Sequence, residues 1–279
     1  MKKKVVLGLS GGVDSAVALI KLKEEGYDVI AVFMRNWDSF VNDDILGNPT
    51  LNDPICTQEQ DYLDAKKVAE QLNVPLYRID FIEEYWDYVF KYFLTEYEKG
   101  RTPNPDILCN TEIKFKAFLK YAMEMDADYI AMGHYAQKDF IDGRPVLKRA
   151  KDESKDQTYF LSQLTEEQLE KALFPIGDLV KGEVRKIAEK ENIAVAKKKD
   201  STGICFIGER RFGEFLSNYM LTKKGKMTML DGTYIKDHDG LFYYTIGQRK
   251  GLKIGGMKDY SQEPWFVVGR SEERRVGKE

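Results

Sequence analysis

Short apolar runs alternate with longer segments of helical periodicity over the first half of the chain. The runs predict buried strands at residues 4–9, 27–34, 74–81 and 127–136. Between them, apolar side chains recur every three or four residues, which predicts helices at 13–25, 57–72, 82–98 and 111–125. Because strands alternate with helices, we predict an α/β fold with a parallel sheet wound with helices.

The pattern changes after residue 136. A hairpin is predicted at 138–149, because Asp142-Gly143 is a typical two-residue turn. Helical periodicity then returns at 158–173 and 182–192. Beyond about Phe212, short alternating stretches separated by turn residues predict a small β domain. We therefore divide the chain into an α/β domain at 1–210, a small β domain at 211–270 and an irregular tail at 271–279.

The segment from Gly8 to Ser15, GLSGGVDS, joins the first predicted strand to the first predicted helix. A turn rich in Gly and Ser presents backbone N–H groups and a helix N-terminus to an anion, so the segment predicts phosphate binding. It lacks the lysine of a G-x-x-x-x-G-K-[ST] loop and the spacing of a G-x-G-x-x-G loop. A tight turn without a ligand is the alternative interpretation.

Composition and charge narrow the class of protein. No apolar run approaches the roughly 18 residues of a membrane helix, and the initial MKKK leads into a strand rather than a signal peptide. We therefore expect a cytoplasmic protein with no membrane partner. The net charge of −3 is uneven, since residues 197–253 carry twelve Lys and Arg against six Asp and Glu. This basic region predicts a polyanionic partner, unless it is a solvated face of mixed charge.

Three cysteines are too few and too scattered for a disulfide framework, and none has zinc-ligand spacing, so no metal site is predicted. Cys109 lies in a segment in which Pro103 and Pro105 are expected to forbid helix, with a helix beginning at about Asn110. This arrangement predicts an exposed sulfur whose thiolate is stabilised by the helix dipole. The carboxylate of Asp106, three residues earlier, is a candidate general base.

Cys205 follows Lys197, Lys198 and Lys199 and lies near Gly203, a cationic setting that also favours a thiolate. Cys109 and Cys205 are therefore candidate reactive thiols, although burial as small apolar side chains is the alternative. Cys56 precedes the capping-box pattern that begins at Thr57, and we interpret it as a packing residue.

The serine-glycine-glycine-x-aspartate-serine pattern resembles the PP-loop of the ATP pyrophosphatases. Over residues 1–270, the chain resembles the bacterial tRNA-specific 2-thiouridylase family. The segments that carry this resemblance are SGGVDS, GRTPNPDILCN, MGHYA, DESKDQTYFL, DSTGICFIG and YYTIGQRKGL. The resemblance implies an adenine nucleotide alpha hydrolase-like domain followed by a small β domain. It also implies a further C-terminal β-barrel, which we expect this chain to lack.

The resemblance further implies that ATP, with Mg²⁺, adenylates the C2 oxygen of the wobble uridine in tRNAs for lysine, glutamate and glutamine. A persulfide on Cys205 would then supply sulfur, with Cys109 as the partner thiol and Asp106 assisting at the base. The sulfur would come from a cysteine desulfurase or a sulfur-relay protein.

The same resemblance implies two sets of binding residues. The set for ATP is Gly8, Leu9, Ser10, Gly11, Gly12, Val13, Asp14, Ser15, Met34 and Gly133. The set for RNA is Asn104, Pro105, Asp106, His134, Lys155, Asp156 and Gln157. His134 follows a predicted strand at its carboxyl end, where open α/β sheets bind ligands, and its flat ring would suit stacking on an extruded base.

Three alternatives stay open at this point. Another PP-loop ligase would use ammonia or an amine as its second nucleophile and would not need Cys205. An RNA-binding fragment impaired in catalysis would bind tRNA without releasing pyrophosphate. An iron–sulfur cluster on Asp106, Cys109 and Cys205 would use the same thiolates as ligands.

Overall fold

The computed structural model describes residues 2–200, 203–254 and 264–270. In chain order, its strands are β1 (Lys4–Gly8), β2 (Asp28–Arg35), β3 (Leu76–Asp80), β4 (Tyr129–Ala131), β5 (Ala136–Ile141), β6 (Arg144–Arg149), β7 (Ala172–Leu173), β8 (Gly225–Thr228) and β9 (Tyr234–His238). Five of these strands form one parallel sheet in the order β3-β2-β1-β4-β7. The predicted wound parallel sheet is confirmed, and β7 is a strand that the sequence pattern did not reveal.

Helices cover both faces of this sheet. In chain order they are α1 (Val13–Glu24), α2 (Thr57–Gln71), α3 (Ile82–Tyr85), α4 (Lys91–Glu98), α5 (Pro105–Leu108), α6 (Phe118–Glu124), α7 (Glu166–Lys171), α8 (Lys181–Lys190) and α9 (Phe212–Ser217). Two π-helical stretches, Trp86–Phe90 and Cys109–Ala117, connect α3 to α4 and α5 to α6.

The side chains of β1 show how the two faces are built. Val5 and Leu7 pack into one buried cluster with α1, α2 and α8, whereas Val6 packs into the other with the aromatic helices. Successive strand residues point to opposite faces, so an uninterrupted apolar run can serve both clusters. The second cluster contains large buried rings, among them Phe90 and Phe115.

The single helix predicted at 158–173 is wrong. The chain forms a 3₁₀ turn at Thr158–Leu161, then α7, and then β7. Thr165 starts α7 with a capping box, in which its hydroxyl accepts a hydrogen bond from the Gln168 backbone N–H and the Gln168 side chain accepts one from the Thr165 backbone N–H. Ala172 then turns extended, because pairing with β4 places it at the edge of the sheet.

The prediction that Pro103 and Pro105 forbid helix up to Asn110 is also wrong. Helix α5 begins at Pro105, with Asn104 as its N-cap. Proline is tolerated in the first helical turn, where its missing N–H has no partner to lose. Cys109 consequently lies one turn inside a helical segment that continues through a π-helical stretch into α6.

The predicted hairpin is confirmed. Strands β5 and β6 pair antiparallel across Asp142 and Gly143, whose φ angles of 50° and 78° fit a type I′ turn. In the small β domain, β8 and β9 form a second antiparallel hairpin. Segments 255–263 and 271–279 of the predicted β domain and tail lie outside the described residues. Among the described helices, none is long and apolar enough to cross a membrane.

Candidate active site

The glycine-rich loop follows β1 at the point where the chain order of the sheet reverses, with β2 on one side of β1 and β4 on the other. Open α/β sheets bind ligands at such a switch point. The Ser15 hydroxyl closes the loop: it lies 3.2 Å from the Ser10 backbone nitrogen, 3.1 Å from the Ser10 hydroxyl and 3.1 Å from the Gly12 carbonyl oxygen. Gly12, the N-cap of α1, has no side chain to cap the helix, which leaves the first backbone N–H groups of α1 for an anion.

Close backbone contacts explain the glycines around this loop. Gly11 has a φ of 74°, and a Cβ there would lie 2.1 Å from the Asp61 carbonyl oxygen. A Cβ on Gly133 would lie 2.8 Å from the Ser15 backbone nitrogen, because the end of β4 packs directly against the start of α1.

Met34 completes this arrangement. A Cβ on Gly8 would lie 3.1 Å from the methyl carbon of Met34, so the two residues adjoin at the carboxyl ends of β1 and β2. The structure therefore brings Gly8, Met34, Gly133 and the loop together.

The carboxylate of Asp14 is held by two partners that sequence reasoning missed. The Tyr135 hydroxyl donates to Asp14 at 2.9 Å, and the Lys181 ammonium lies 2.8 Å from the same carboxylate oxygen. Lys181 also pairs with Asp200 at 2.7 Å. Burial and the adjacent Asp14 carboxylate raise the pKa of Tyr135, so its hydroxyl keeps its proton. The only available sequence signal was the position of Tyr135 beside His134.

Lys198 braces the loop from the opposite side. Its ammonium donates to the Gly11 carbonyl oxygen at 3.1 Å and to the carboxylates of Asp61 and Asp64 at 2.7 and 2.8 Å. Burial raises the pKa of Asp61 despite this cation. Burial also acts to raise the pKa of Asp64, but the hydrogen bond and charge of Lys198, together with Gln60 and Lys67, lower it overall. Lys198 thus links the basic region directly to the glycine-rich loop.

The two candidate thiols meet although 96 positions separate them in the chain. The Cys109 and Cys205 sulfur atoms lie 3.4 Å apart. An Asp106 carboxylate oxygen accepts a hydrogen bond from the Cys205 backbone N–H at 3.1 Å, and the Tyr85 hydroxyl donates to the Cys205 carbonyl oxygen at 2.9 Å. These two contacts hold the Cys205 segment against the start of the helical segment that carries Cys109.

The predicted exposed, thiolate-prone Cys109 is wrong. Its side chain is fully buried, and burial raises the pKa of its thiol well above the ordinary value. Cys205 is half-buried, and the hydrogen bond from Cys109 together with the Lys114 ammonium lowers its pKa to about 7. This lowering is in the direction predicted for Cys205, but the cation that acts on it is Lys114 rather than the cluster at 197–199.

The interpretation of Cys56 as a packing residue is wrong as well. Its side chain is exposed, and its sulfur accepts a hydrogen bond from the Glu59 backbone N–H at 3.4 Å as the N-cap of α2. The helix predicted from Thr57 is present, with its cap one residue earlier than the capping-box pattern indicated.

His134 lies at the carboxyl end of β4, as predicted, but inside the protein rather than at an open edge. Only 8% of its surface is exposed, and its ring lies between Phe115 and Phe174 at centroid distances of 5.9 and 6.3 Å. Its Nδ1 is buried without a hydrogen-bond partner. Burial, reinforced by the nearby Lys114 ammonium, lowers its pKa well below the ordinary value, so the ring is neutral.

The predicted RNA contacts at 155–157 also organise the protein itself. Gln157 clamps Tyr135 through two hydrogen bonds, each 2.9 Å long, and Asp156 accepts from the Ala150 backbone N–H at 2.8 Å. Lys155 is exposed and pairs with Asp200 at 3.2 Å. These contacts tie the segment to Tyr135 and Asp200, which lie beside the Asp14–Lys181 pair.

A sheet of this order, with a glycine-rich loop at its switch point, defines a nucleotide-binding α/β enzyme of the PP-loop class. Two family models match the chain: a tRNA methyl transferase HUP domain over residues 3–209 and a tRNA methyl transferase PRC-barrel domain over residues 213–275. Curated relatives along nearly the whole chain are named tRNA-specific 2-thiouridylase MnmA. The chain belongs to the tRNA-specific 2-thiouridylase family.

Three of these relatives show the extent of the similarity. The protein from Acholeplasma laidlawii is 64% identical over 270 residues, which cover 97% of this chain and 72% of that protein. A relative from Geobacillus kaustophilus is 58% identical over 275 residues, with coverages of 99% and 71%. A relative from Mycoplasma mycoides subsp. mycoides SC is 57% identical over 280 residues, with coverages of 99% and 74%.

Proposed function

We propose that this protein is a tRNA sulfurtransferase that uses ATP to replace the C2 oxygen of a wobble uridine with sulfur. The observation that carries the proposal is the 3.4 Å separation of the Cys109 and Cys205 sulfur atoms in a PP-loop fold. The matching family models are described as methyl transferase domains. Sulfur transfer needs one thiol to carry the atom and one to release it, and two adjacent thiols meet this need.

The first step supplies a leaving group at C2. ATP is a substrate, and its phosphates fit the loop from Gly8 to Ser15 because backbone N–H groups at the start of α1 are free to bind an anion. The uridine C2 oxygen attacks the α-phosphorus, the bond to the pyrophosphate oxygen breaks, and an adenylated uridine and pyrophosphate form. Lys181 and Lys198 orient the loop during this step through Asp14 and the Gly11 carbonyl.

Mg²⁺ accompanies ATP in this proposal. Within the described part of the chain, no group of three or more His, Cys, Asp or Glu side chains converges as a metal site. Most of the magnesium ligands would therefore be phosphate oxygens and water, as Mg²⁺ commonly prefers. The same observation favours thiol chemistry over an iron–sulfur cluster on Asp106, Cys109 and Cys205.

The second step delivers sulfur. The Cys205 thiolate attacks the outer sulfur of a donor persulfide, releasing the donor thiolate and leaving a persulfide on Cys205. The terminal sulfur then attacks C2 and AMP leaves. The Cys109 thiol, which would give up its proton to Asp106 as it reacts, attacks the Cys205 sulfur. A Cys109–Cys205 disulfide forms as the bond to the transferred sulfur breaks, and a thiol reductant returns the two electrons that reopen it. Asp106 would also assist proton transfer at the uracil base of the target uridine.

The RNA contacts and partners complete the proposal. Asn104, Pro105 and Asp106 would lie against the target nucleotide, with Lys155, Asp156 and Gln157 further along the tRNA and His134 behind the base. The substrates would be the tRNAs for lysine, glutamate and glutamine, in the cytoplasm. The donor would be a cysteine desulfurase or a sulfur-relay protein.

The test is the nucleoside content of treated tRNA. Purified protein, ATP with Mg²⁺, a persulfide donor and unmodified tRNA transcripts should yield 2-thiouridine by liquid chromatography and mass spectrometry. Cys109→Ser and Cys205→Ser should yield none, while the matched control Cys56→Ser should retain parent activity. Thiolation by Cys205→Ser at the parent level would favour a ligase that needs no thiol. An anaerobic sample with visible iron–sulfur absorption would favour the cluster.

A further inference from the structure

A lysine that the mechanism above does not use lies beside the two sulfur atoms. Lys114 is five residues after Cys109 in the π-helical stretch Cys109–Ala117. In an α-helix of about 3.6 residues per turn, positions i and i+5 diverge by roughly 140°. A π-helix joins i to i+5 by its hydrogen bonds and brings the two positions onto one side. The π-helical geometry therefore turns Lys114 toward Cys109.

The surroundings of Lys114 connect it to Cys205 rather than to solvent. Its ammonium lies 5.6 Å from the centroid of the Phe206 ring, on the residue after Cys205, and its charge acts on the Cys205 sulfur. By contrast, Lys116 on the same stretch is exposed and pairs with Glu112 at 2.6 Å. Of these two lysines, Lys114 is the one directed toward the sulfur pair.

The other groups around the sulfur pair are a carboxylate and groups that carry no charge at neutral pH. They are Asp106, Cys109, Tyr85 and His134. Burial raises the pKa of both Cys109 and Tyr85 and lowers that of His134, so these three stay neutral. Asp106 opposes an anionic sulfur on Cys205, and Lys114 is the nearby cation that compensates for it.

We propose that Lys114 is a positioning residue that holds Cys205 in the anionic form and thereby makes Cys205, not Cys109, the thiol that accepts sulfur. An attacking thiol is most effective when its pKa lies near the ambient pH, and Cys205 meets this condition at about 7. The role in sulfur transfer rests on the proposed function. The electrostatic role does not.

Alkylation of the free protein tests the electrostatic role without ATP or tRNA. The rate of Cys205 modification by iodoacetamide is measured against pH by peptide mass spectrometry, with the exposed Cys56 as an internal reference. The parent should show a midpoint near pH 7. Lys114→Met should raise the midpoint by about one unit, which lowers the thiolate fraction at pH 7 from about one half to about one tenth and slows the reaction there roughly fivefold. Lys114→Arg should restore most of the parent profile, and Lys116→Met should leave it unchanged.

An unshifted midpoint in a folded Lys114→Met variant would overturn the inference, and so would an equal shift in Lys116→Met. If Lys114→Met does not fold, Lys114→Gln carries the same test with a neutral side chain that can still hydrogen-bond. A shifted midpoint in a protein that does not thiolate tRNA would leave the inference standing and remove the proposed function. Labelled sulfur loaded onto Cys205 from a persulfide donor should fall in parallel with the alkylation rate.

Discussion

The Ser15 hydroxyl holds the glycine-rich loop together through three contacts. One hydroxyl contacts the Ser10 backbone nitrogen, the Ser10 hydroxyl and the Gly12 carbonyl, so it sets the path of the chain between β1 and α1. The residue is buried, and water cannot replace these contacts easily. The position of the loop N–H groups, which a phosphate would meet, depends on this side chain.

We expect Ser15→Ala to slow tRNA-dependent pyrophosphate release by about a hundredfold, the usual cost of misplacing donors that stabilise developing charge. The free energy of unfolding should fall by only about 1 kcal/mol, as for the loss of one hydrogen-bonded side chain. The control is Ser217→Ala, because Ser217 donates to a helix carbonyl outside the loop. Pyrophosphate release within a few-fold of the parent rate would contradict the assignment of the loop to the ATP-dependent step.

The two thiols should differ in sulfur loading. A persulfide donor should load Cys109→Ser with one sulfur atom on Cys205, and the variant should then stall because no thiol remains to break the persulfide bond. Cys205→Ser should load almost none, because burial keeps Cys109 protonated at neutral pH. Intact-protein mass spectrometry under non-reducing conditions measures both. Parent-level loading of Cys109 in Cys205→Ser would reverse the assigned roles.

His134 should make stability depend on pH. The pKa of His134 is lower in the folded protein than in the unfolded chain, where it is about 6.5. The contribution of His134 to the free energy of unfolding is therefore complete above about pH 6.5 and is lost as the pH falls toward the folded-state pKa. Between these two pKa values, the free energy of unfolding should fall by up to about 1.4 kcal/mol per pH unit. Urea unfolding at pH 7.5 and 5.5 measures it, and His134→Gln should show a smaller difference. His238→Gln, at a less buried histidine, should retain most of the parent dependence.

At the scale of elements, the helical segment that begins at Pro105 positions the sulfur chemistry. Asn104 caps it by accepting a hydrogen bond from the Ile107 backbone N–H at 3.3 Å, and Asp106 in its first turn binds the Cys205 backbone. The π-helical stretch then sets Lys114 beside the thiols. Changes at the start of this segment should therefore reach the sulfur pair through the backbone.

Asn104 allows the capping role to be separated from the proposed RNA contact. Asn104→Ser should keep the cap and most of the stability, yet weaken tRNA binding, because only the amide nitrogen is left for RNA once its oxygen caps the helix. Asn104→Ala should lose both, with about 1 kcal/mol less unfolding free energy. Thermal unfolding and filter binding of tRNA measure the two effects. Parent affinity in Asn104→Ser would assign the residue to the cap alone.

The elements that sequence predicts well are those whose signal is local. The glycine-rich loop and the Asp142-Gly143 hairpin each depend on a few adjacent residues, and both are present. Two features were mispredicted because they depend on residues distant in the chain. Strand β7 is extended because it pairs with β4, and Cys109 is buried by the aromatic helices around it.

The same limit applies to the site. Asp14 could be proposed from its place in the loop, but its partner Lys181 lies 167 residues away. No periodicity in either segment indicates that pair. The pairing of Cys109 with Cys205 was predicted only through the family resemblance, because spacing alone cannot bring two residues 96 positions apart into contact.

At the scale of the whole molecule, the lysines of the basic region are of two kinds: some pair with carboxylates, and others are exposed on the surface. Lys198 belongs to the basic region at 197–253, but Asp61 and Asp64 neutralise its ammonium. Lys223 and Lys224, in the small β domain, are exposed. Side chains of this second kind are the ones that a polyanion can reach, which is why the net charge of the chain understates its capacity to bind RNA.

We expect tRNA affinity to fall at least tenfold between about 50 and 200 mM salt, because neutralising several phosphates releases bound counterions. The double variant Lys223→Gln/Lys224→Gln should reduce the slope of log affinity against log salt by about 0.7 for each phosphate that the variant no longer neutralises. The control is Lys171→Gln/Lys190→Gln, which removes the same charge from exposed positions outside the basic region. Fluorescence anisotropy with labelled tRNA measures both slopes. An equal change of slope in the two double variants would mean that the basic region has no special part in tRNA binding. A parent affinity that is independent of salt would mean that contacts with the tRNA phosphates contribute little.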